Sequence, residues 1–161
     1  GPKIRDQLHY VAQCLSKDPE SRQAVINIWR ENPPATKDVP CTLSLQWVIR
    51  EDTIHCIDTM RSSDIWLGWP YDVFNMSMVT RYLLLYLRQM TGATYKLGTF
   101  RLTAGSQHLY TINQAAVIKL LTDTRVTDHV DWRLPLYELS GPDGLTQFLW
   151  EAAEHGTLTS L

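Results

Sequence analysis

The stretch Val39-Pro40-Cys41-Thr42-Leu43-Ser44-Leu45-Gln46-Trp47-Val48-Ile49-Arg50-Glu51-Asp52-Thr53-Ile54-His55-Cys56-Ile57-Asp58-Thr59-Met60-Arg61-Ser62 decides the fold. Residues 42–49 alternate, with Leu43, Leu45, Trp47 and Ile49 facing one way and Thr42, Ser44 and Gln46 the other. That period of two marks a half-buried strand. Arg50-Glu51-Asp52 reads as a short turn, and residues 53–60 are expected to pair back as a second strand. Cys41 then lies at the start of one strand and Arg61 at the end of the next. A hairpin brings those two ends together.

Upstream, Ile4, Leu8, Val11, Ala12 and Leu15 recur at helical spacing, which predicts an amphipathic helix over about residues 4–17. Asp18-Pro19-Glu20-Ser21 turns the chain. Residues 23–29 suit a largely buried strand, and Asn32-Pro33-Pro34-Ala35 opens a loop to Pro40. Downstream, Asp72 is expected to begin a helix running to about Met90, with Val73, Met76, Val79, Leu83 and Leu87 as its apolar face. Thr91-Gly92-Ala93 ends it. Residues 94–104 read as a strand, Ile112 to Leu121 as a helix, and 144–154 as a short helix. Hairpin strands with intervening helices argue an α+β fold rather than regular βαβ units.

The bulk properties bound the function. At 161 residues, 44% hydrophobic and 20% charged, the chain reads as one ordinary globular domain spanning 1–161. A net charge of −2 supplies no basic field for nucleic acid. No apolar run is long enough for a membrane span. The three cysteines, Cys14, Cys41 and Cys56, form no dense framework, which with the absence of a signal peptide points to a reducing, cytoplasmic setting. The abrupt start at Gly1-Pro2, directly before a helix, suggests that an upstream segment of the fold is missing.

A free cysteine is most often a small buried hydrophobe. Cys41 differs: a proline precedes it, a polar strand face follows, and arginines are within plausible reach. A thiol attacks as its anion, which positive charge stabilises, and Arg61 and Arg22 are the candidates. Cys14 on a helix and Cys56 within a strand are expected to pack. Zinc is disfavoured, because no Cys-x-x-Cys occurs and the adjacent His55 and Cys56 point to opposite faces of a strand. Arg22, Arg61 and Ser62 form an attractive oxyanion set, since guanidinium forks match phosphate oxygens and a hydroxyl adds a donor. His108 and Tyr110 place two polar rings on one side of an extended segment, able to meet sugar hydroxyls or simply to serve as strand residues.

Four blocks occur in order: Asp18-Pro19-x-Ser21-Arg22; Val39-Pro40-Cys41; Arg61-Ser62-x-Asp64-x-x-Leu67-Gly68-x-Pro70-Tyr71-Asp72; and His108-Leu109-Tyr110. Together they resemble the thymidylate synthase and pyrimidine nucleotide hydroxymethylase family over about residues 3–120, leaving 123–161 divergent. The resemblance implies a mixed sheet packed with helices, and a homodimer through the sheet. It implies that Cys41 adds to C6 of a pyrimidine nucleoside monophosphate and that 5,10-methylenetetrahydrofolate supplies the one-carbon unit. It implies that Arg61 and Ser62 hold the 5′-phosphate, and that Arg22 reaches the phosphate of a partner subunit. His108 and Tyr110 would bind the sugar, Gln46 would line the nucleotide pocket, and Asp64 would face the pterin. The family's upstream glutamate would lie before Gly1.

Three departures stand out. The chain has Arg22-Gln23 where the family's synthases have two arginines, Cys41-Thr42 where they have Cys-His, and Asp72 where they have asparagine. An amide answers both the N3–H donor and the O4 acceptor of uracil. A carboxyl group accepts from the N4 amino group of cytosine and can share a proton with N3. Asp72 also suits a helix cap, a role aspartate favours. The tail Gly156-Thr157-Leu158-Thr159-Ser160-Leu161 does not resemble the apolar closing tail of a synthase. The sequence therefore leads to C5-hydroxymethylation of CMP or dCMP. The alternatives are a thymidylate synthase, a dUMP hydroxymethylase, or a non-catalytic nucleotide-binding or dimerisation module.

Overall fold

The hairpin forms with the expected alternation from Leu45 onward, but an irregularity in the register between Thr42 and Ser44 turns Thr42 inward and leaves Leu43 only partly buried, against the expected faces. In the computed structural model, which describes residues 2–123 and 141–147, β2 (Thr42–Arg50) and β3 (Thr53–Met60) pair antiparallel, with Thr42 opposite Met60 and Arg50 opposite Thr53. On β2, Leu45, Trp47 and Ile49 are buried; on β3, Ile54, Cys56, Asp58 and Met60 are. Gln46, Val48, His55, Ile57 and Thr59 form the opposite, half-exposed face.

Two helices cover the buried face. α1 (Pro2–Lys17) contributes Leu8, Val11, Ala12 and Leu15, and α2 (Gly68–Thr91) contributes Leu83, Leu84 and Leu87. The largest fully buried side chain is Trp47, whose indole N–H donates to Thr80 Oγ1 at 3.0 Å. That bond satisfies the one polar atom the indole carries into the core. It also explains a polar residue on the inner side of α2, whose apolar stripe runs through Met76, Leu83 and Leu87.

α2 starts at Gly68, four residues before the expected Asp72. The turn leading into it is held by Asp64, whose carboxylate accepts from the backbone N–H groups of Trp66 (3.1 Å) and Leu67 (3.3 Å). Pro70 falls in the first turn, where its missing N–H has no helical partner to lose. Asp72 therefore sits inside the helix and is not its cap.

Residues 23–29 yield only a three-residue strand, β1 (Val25–Asn27), antiparallel to β2. Ile26 alone is buried there, and Ile28 and Trp29 leave the ladder to donate to the Leu43 carbonyl. β5 (Lys96–Ala104) returns from α2 to pair parallel with β3, so the four-stranded sheet runs β1-β2-β3-β5 and is mixed. The parallel pairing was not legible as such, since the sequence pattern around it is that of hairpins. A register shift between Ile54 and Cys56 lets the His55 ring accept from Thr99 N–H at 3.1 Å. Gly98 makes this possible: a Cβ there would stand 2.6 Å from Thr53 Cγ2 and 2.7 Å from His55 Nδ1.

β4 (Ser63–Asp64) and β6 (Gln107–His108) form a second small parallel sheet. A 3-10 turn over Thr111–Asn113 leads into α3 (Gln114–Thr122), and residues 142–147 are helical. The rest of the helix expected over 144–154 lies outside the described residues. No helix among the described residues is long and apolar enough to cross a membrane.

Two substitutions test this packing by urea titration. Trp47→Ala is expected to lower stability by about 3–5 kcal/mol through the cavity it leaves. Thr80→Val, which strands the indole N–H, is expected to lower it by about 1–3 kcal/mol.

Candidate functional site

The hairpin ends meet as its geometry requires. Arg61 N–H donates to the Cys41 carbonyl at 2.8 Å. The Arg61 side chain folds over the same loop, with Nε on the Pro40 carbonyl (3.1 Å) and Nη2 on the Val39 carbonyl (2.9 Å). Its guanidinium carbon lies 5.8 Å from the Trp29 ring centroid, a cation–π arrangement. Only part of the guanidinium fork is used on the loop, and the rest remains for an anion. Trp29 was not singled out by the sequence; its role follows from β1 ending early.

Cys41 is exposed, Cys14 half-buried with its sulfur 3.1 Å from Ser21 Oγ, and Cys56 buried. Burial pushes the Cys56 thiol up to about 12. Of the three, Cys41 alone is exposed, and its loop is the one the Arg61 side chain holds.

The small sheet brings in the second half of the site. Ser63 N–H donates to Ser106 O, and Ile65 N–H to His108 O, setting Asp64 opposite His108. Ser106 N–H donates to Arg61 O, and Gly105 passes so close that a Cβ on it would sit 3.2 Å from that oxygen. Arg61, Ser62, Asp64 and His108 thus occupy one locality. His108 and Tyr110 stack edge to face, ring centroids 4.8 Å apart, with Tyr110 exposed. Along the start of α2, Leu67, Trp69 and Tyr71 are exposed as an apolar rim.

Arg22 and Gln46 lie elsewhere in the chain. Arg22 is exposed in the link between α1 and β1, and its carbonyl accepts from the Gln46 side chain at 3.0 Å. Gln46 faces the open side of the sheet, midway along β2. The chain itself does not bring Arg22 to Arg61.

Asp72 is half-buried on α2, and burial raises its carboxyl above the ordinary range. Beneath α2, Asp58 is fully buried, and neither of its carboxylate oxygens has a hydrogen-bond partner among the described residues. Burial, with the neighbouring charge of Asp72 as a second cause, pushes Asp58 up from 3.8 to about 6. The sequence reading missed this residue. Its signal was a lone charge in the inward-facing series Ile54, Cys56, Asp58, Met60.

Two measurements follow. Iodoacetamide with peptide mass analysis is expected to modify Cys41 first, Cys14 more slowly and Cys56 only on unfolding; rapid loss of Cys56 in the folded protein would contradict the burial order. Because the Asp58 carboxyl is raised on folding, its protonation favours the folded state. That contribution is complete below about pH 4 and is lost as pH rises through about 6. Asp58→Leu should therefore flatten the fall in melting temperature over this window and stabilise the protein at pH 8 by on the order of 1–3 kcal/mol. An unchanged pH profile would count against it.

Comparison with known proteins bears on this arrangement. The thymidylate synthase family model matches residues 2–136. A thymidylate synthase of Bacillus phage phi3T is 31% identical over 112 residues, covering 69% of this chain and 38% of that protein. Thymidylate synthase 1 of Bacillus spizizenii is 32% identical over 114 residues, with the same coverage. For a thymidylate synthase of Bacillus atrophaeus the figures are 31% over 112 residues and 46% of that protein. The chain thus spans less than half the length of these relatives. The mixed α+β architecture fits theirs, and the chain belongs to the thymidylate synthase family.

Proposed function

We propose that this chain carries the nucleophile and phosphate-binding part of a one-carbon transferase acting at C5 of a pyrimidine nucleoside monophosphate. The observation that carries the reading is Cys41, exposed at the start of β2 beside a guanidinium already held on its loop. Attack of the Cys41 thiolate on C6 converts C5 into a carbon nucleophile, which the pyrimidine ring alone is not. Arg61 has the capacity for a 5′-phosphate and Ser62 stands beside it. His108 and Tyr110, at the same end, would meet the sugar hydroxyls.

The one-carbon donor used in this family is 5,10-methylenetetrahydrofolate. The residues present fit such a ligand: Asp64 offers acceptor oxygens, and the exposed Trp69 and Tyr71 suit a flat ring. The half-exposed sheet face bearing Gln46, Val48 and Ile57 supports pairing with a second copy. Such a pairing would let Arg22 serve the partner's site.

The names of the relatives favour methyl transfer to a uracil nucleotide, as in a thymidylate synthase. One residue favours a second reading. Asp72, freed from the role of helix cap, can face the base; as a carboxylate it accepts from the amino group of cytosine and repels O4 of uracil. On that reading the substrate is CMP or dCMP and water, not hydride, completes the reaction. The tail whose sequence suggested water lies outside the described residues.

Release of tritium from C5-labelled dUMP, dCMP and CMP by the full-length protein with the folate separates these. Release from dUMP alone removes the cytosine reading, and release from none supports a binding module. Product mass distinguishes CH₃ from CH₂OH. Cys41→Ser is expected to abolish release, lowering it at least about 10³-fold, since an alcohol is a far weaker nucleophile. Asp72→Asn is expected to shift preference toward uracil; unchanged preference would make Asp72 structural.

A further inference from the structure

At Leu43, β2 carries one residue more than β3. Thr42 pairs with Met60 and Ser44 with Thr59, and Leu43 has no residue opposite it. The Leu43 carbonyl accepts from two consecutive N–H groups, Ile28 at 2.9 Å and Trp29 at 3.1 Å. An extra residue of this kind bends the local chain and re-aims its neighbours. β1 accordingly stops at Asn27, and Trp29 lies against Arg61, its ring centroid 5.8 Å from the guanidinium carbon.

Arg61 is exposed, and an exposed arginine ordinarily samples many rotamers. Three contacts restrain this one. Nε donates to the Pro40 carbonyl and Nη2 to the Val39 carbonyl, so the side of the guanidinium that these two nitrogens share is occupied by the Cys41 loop. Trp29 closes one face. Among the described residues no carboxylate is bonded to Arg61, so its charge is not offset. Both hydrogens of Nη1 and the second hydrogen of Nη2 are left, at the end of the fork. A pair of parallel N–H groups at that edge matches two oxygens of one phosphate.

We propose that Trp29 is a positioning residue for phosphate recognition: by lying against one face of the Arg61 guanidinium, it keeps the Nη1–Nη2 edge aimed at the 5′-phosphate of the nucleotide. This rests on the reading that Arg61 takes that phosphate. Two hydrogen bonds along one side of a planar group define an axis, and the plane can still swing about it. A ring on one face stops the swing. An aromatic face also attracts the cation without using any of its hydrogens. A carboxylate in the same place would occupy those hydrogens and neutralise the charge that a phosphate needs. The effect of Trp29 therefore runs through Arg61 to the phosphate, and a ligand without a phosphate does not feel it.

Calorimetry with the full-length protein, in the absence of folate, tests this. Binding of dUMP and dCMP is titrated directly, and binding of deoxyuridine and deoxycytidine by competition. Trp29→Leu is expected to weaken the preferred nucleotide about tenfold and to change the matching nucleoside less than about twofold. Trp29→Phe keeps a ring face and is expected to recover most of the affinity. Trp29→Met keeps bulk without a ring and is expected to behave like Trp29→Leu, so it serves in place of that variant if the leucine protein does not fold. Unchanged nucleotide affinity in the ringless variants overturns the proposal. So does an equal loss for nucleotide and nucleoside, which marks a general loosening of the site, or equal affinity in the Phe and Met variants. Arg61→Ala separates the proposal from the reading beneath it. If Arg61→Ala lowers the nucleotide-to-nucleoside affinity ratio and the ringless variants do not, the role of Trp29 alone fails. If Arg61→Ala leaves that ratio unchanged, Arg61 does not take the phosphate and the reading falls with it.

Discussion

Arg61 ties three stretches of chain together. Its N–H holds the Cys41 carbonyl, its side chain holds the two residues before Cys41, and its carbonyl receives Ser106 from the far side of α2. A lysine could not do this: its ammonium has no planar fork with which to span two carbonyls. The Cys41 loop and the Ser106–His108 segment are therefore tied together by one residue's main chain and side chain. The proline before Cys41 contributes by limiting where the loop can go. Trp29 covers the guanidinium from the β1 side.

Much of this was legible because the hairpin is periodic from Leu45 onward. Alternation gave both faces over that span, the turn and the meeting of Cys41 with Arg61, but not the irregularity that turns Thr42 inward. What the alternation could not convey was its partner on the other edge. β5 pairs parallel with β3 across a long helical crossover, and a parallel partner leaves no local turn signature. The length of β1 was also hidden, because Ile28 and Trp29 are as strand-prone as Ile26. Their bonds to the Leu43 carbonyl, a tertiary matter, decide where the strand ends.

The site was legible where motif residues are close in sequence and not where they depend on a second element. Asp64 was expected to face a cofactor, and its oxygens also hold the turn that leads into α2, whose start at Gly68 leaves Asp72 in the helix interior. Arg22 sits beside Gln46, its carbonyl bonded to the Gln46 side chain, and a spacing argument could not show that the fold keeps it apart from Arg61. Asp58 escaped notice because a single charge in a strand usually faces water, and only the register of β3 under α2 makes it internal.

The parallel pairing of β3 with β5 has a consequence for how the site comes into being. Closing the hairpin requires only the turn at Arg50–Thr53, whereas docking β5, and with it Ser106 and His108, requires the whole α2 segment to be ordered first. Chain-entropy costs rise with the length of the loop to be closed, so the two halves differ in folding difficulty. The half bearing Cys41 is local and entropically easy; the half bearing His108 and Tyr110 is long-range. A partly folded chain would thus present a formed Cys41 loop before the Ser106–His108 segment has docked on Arg61.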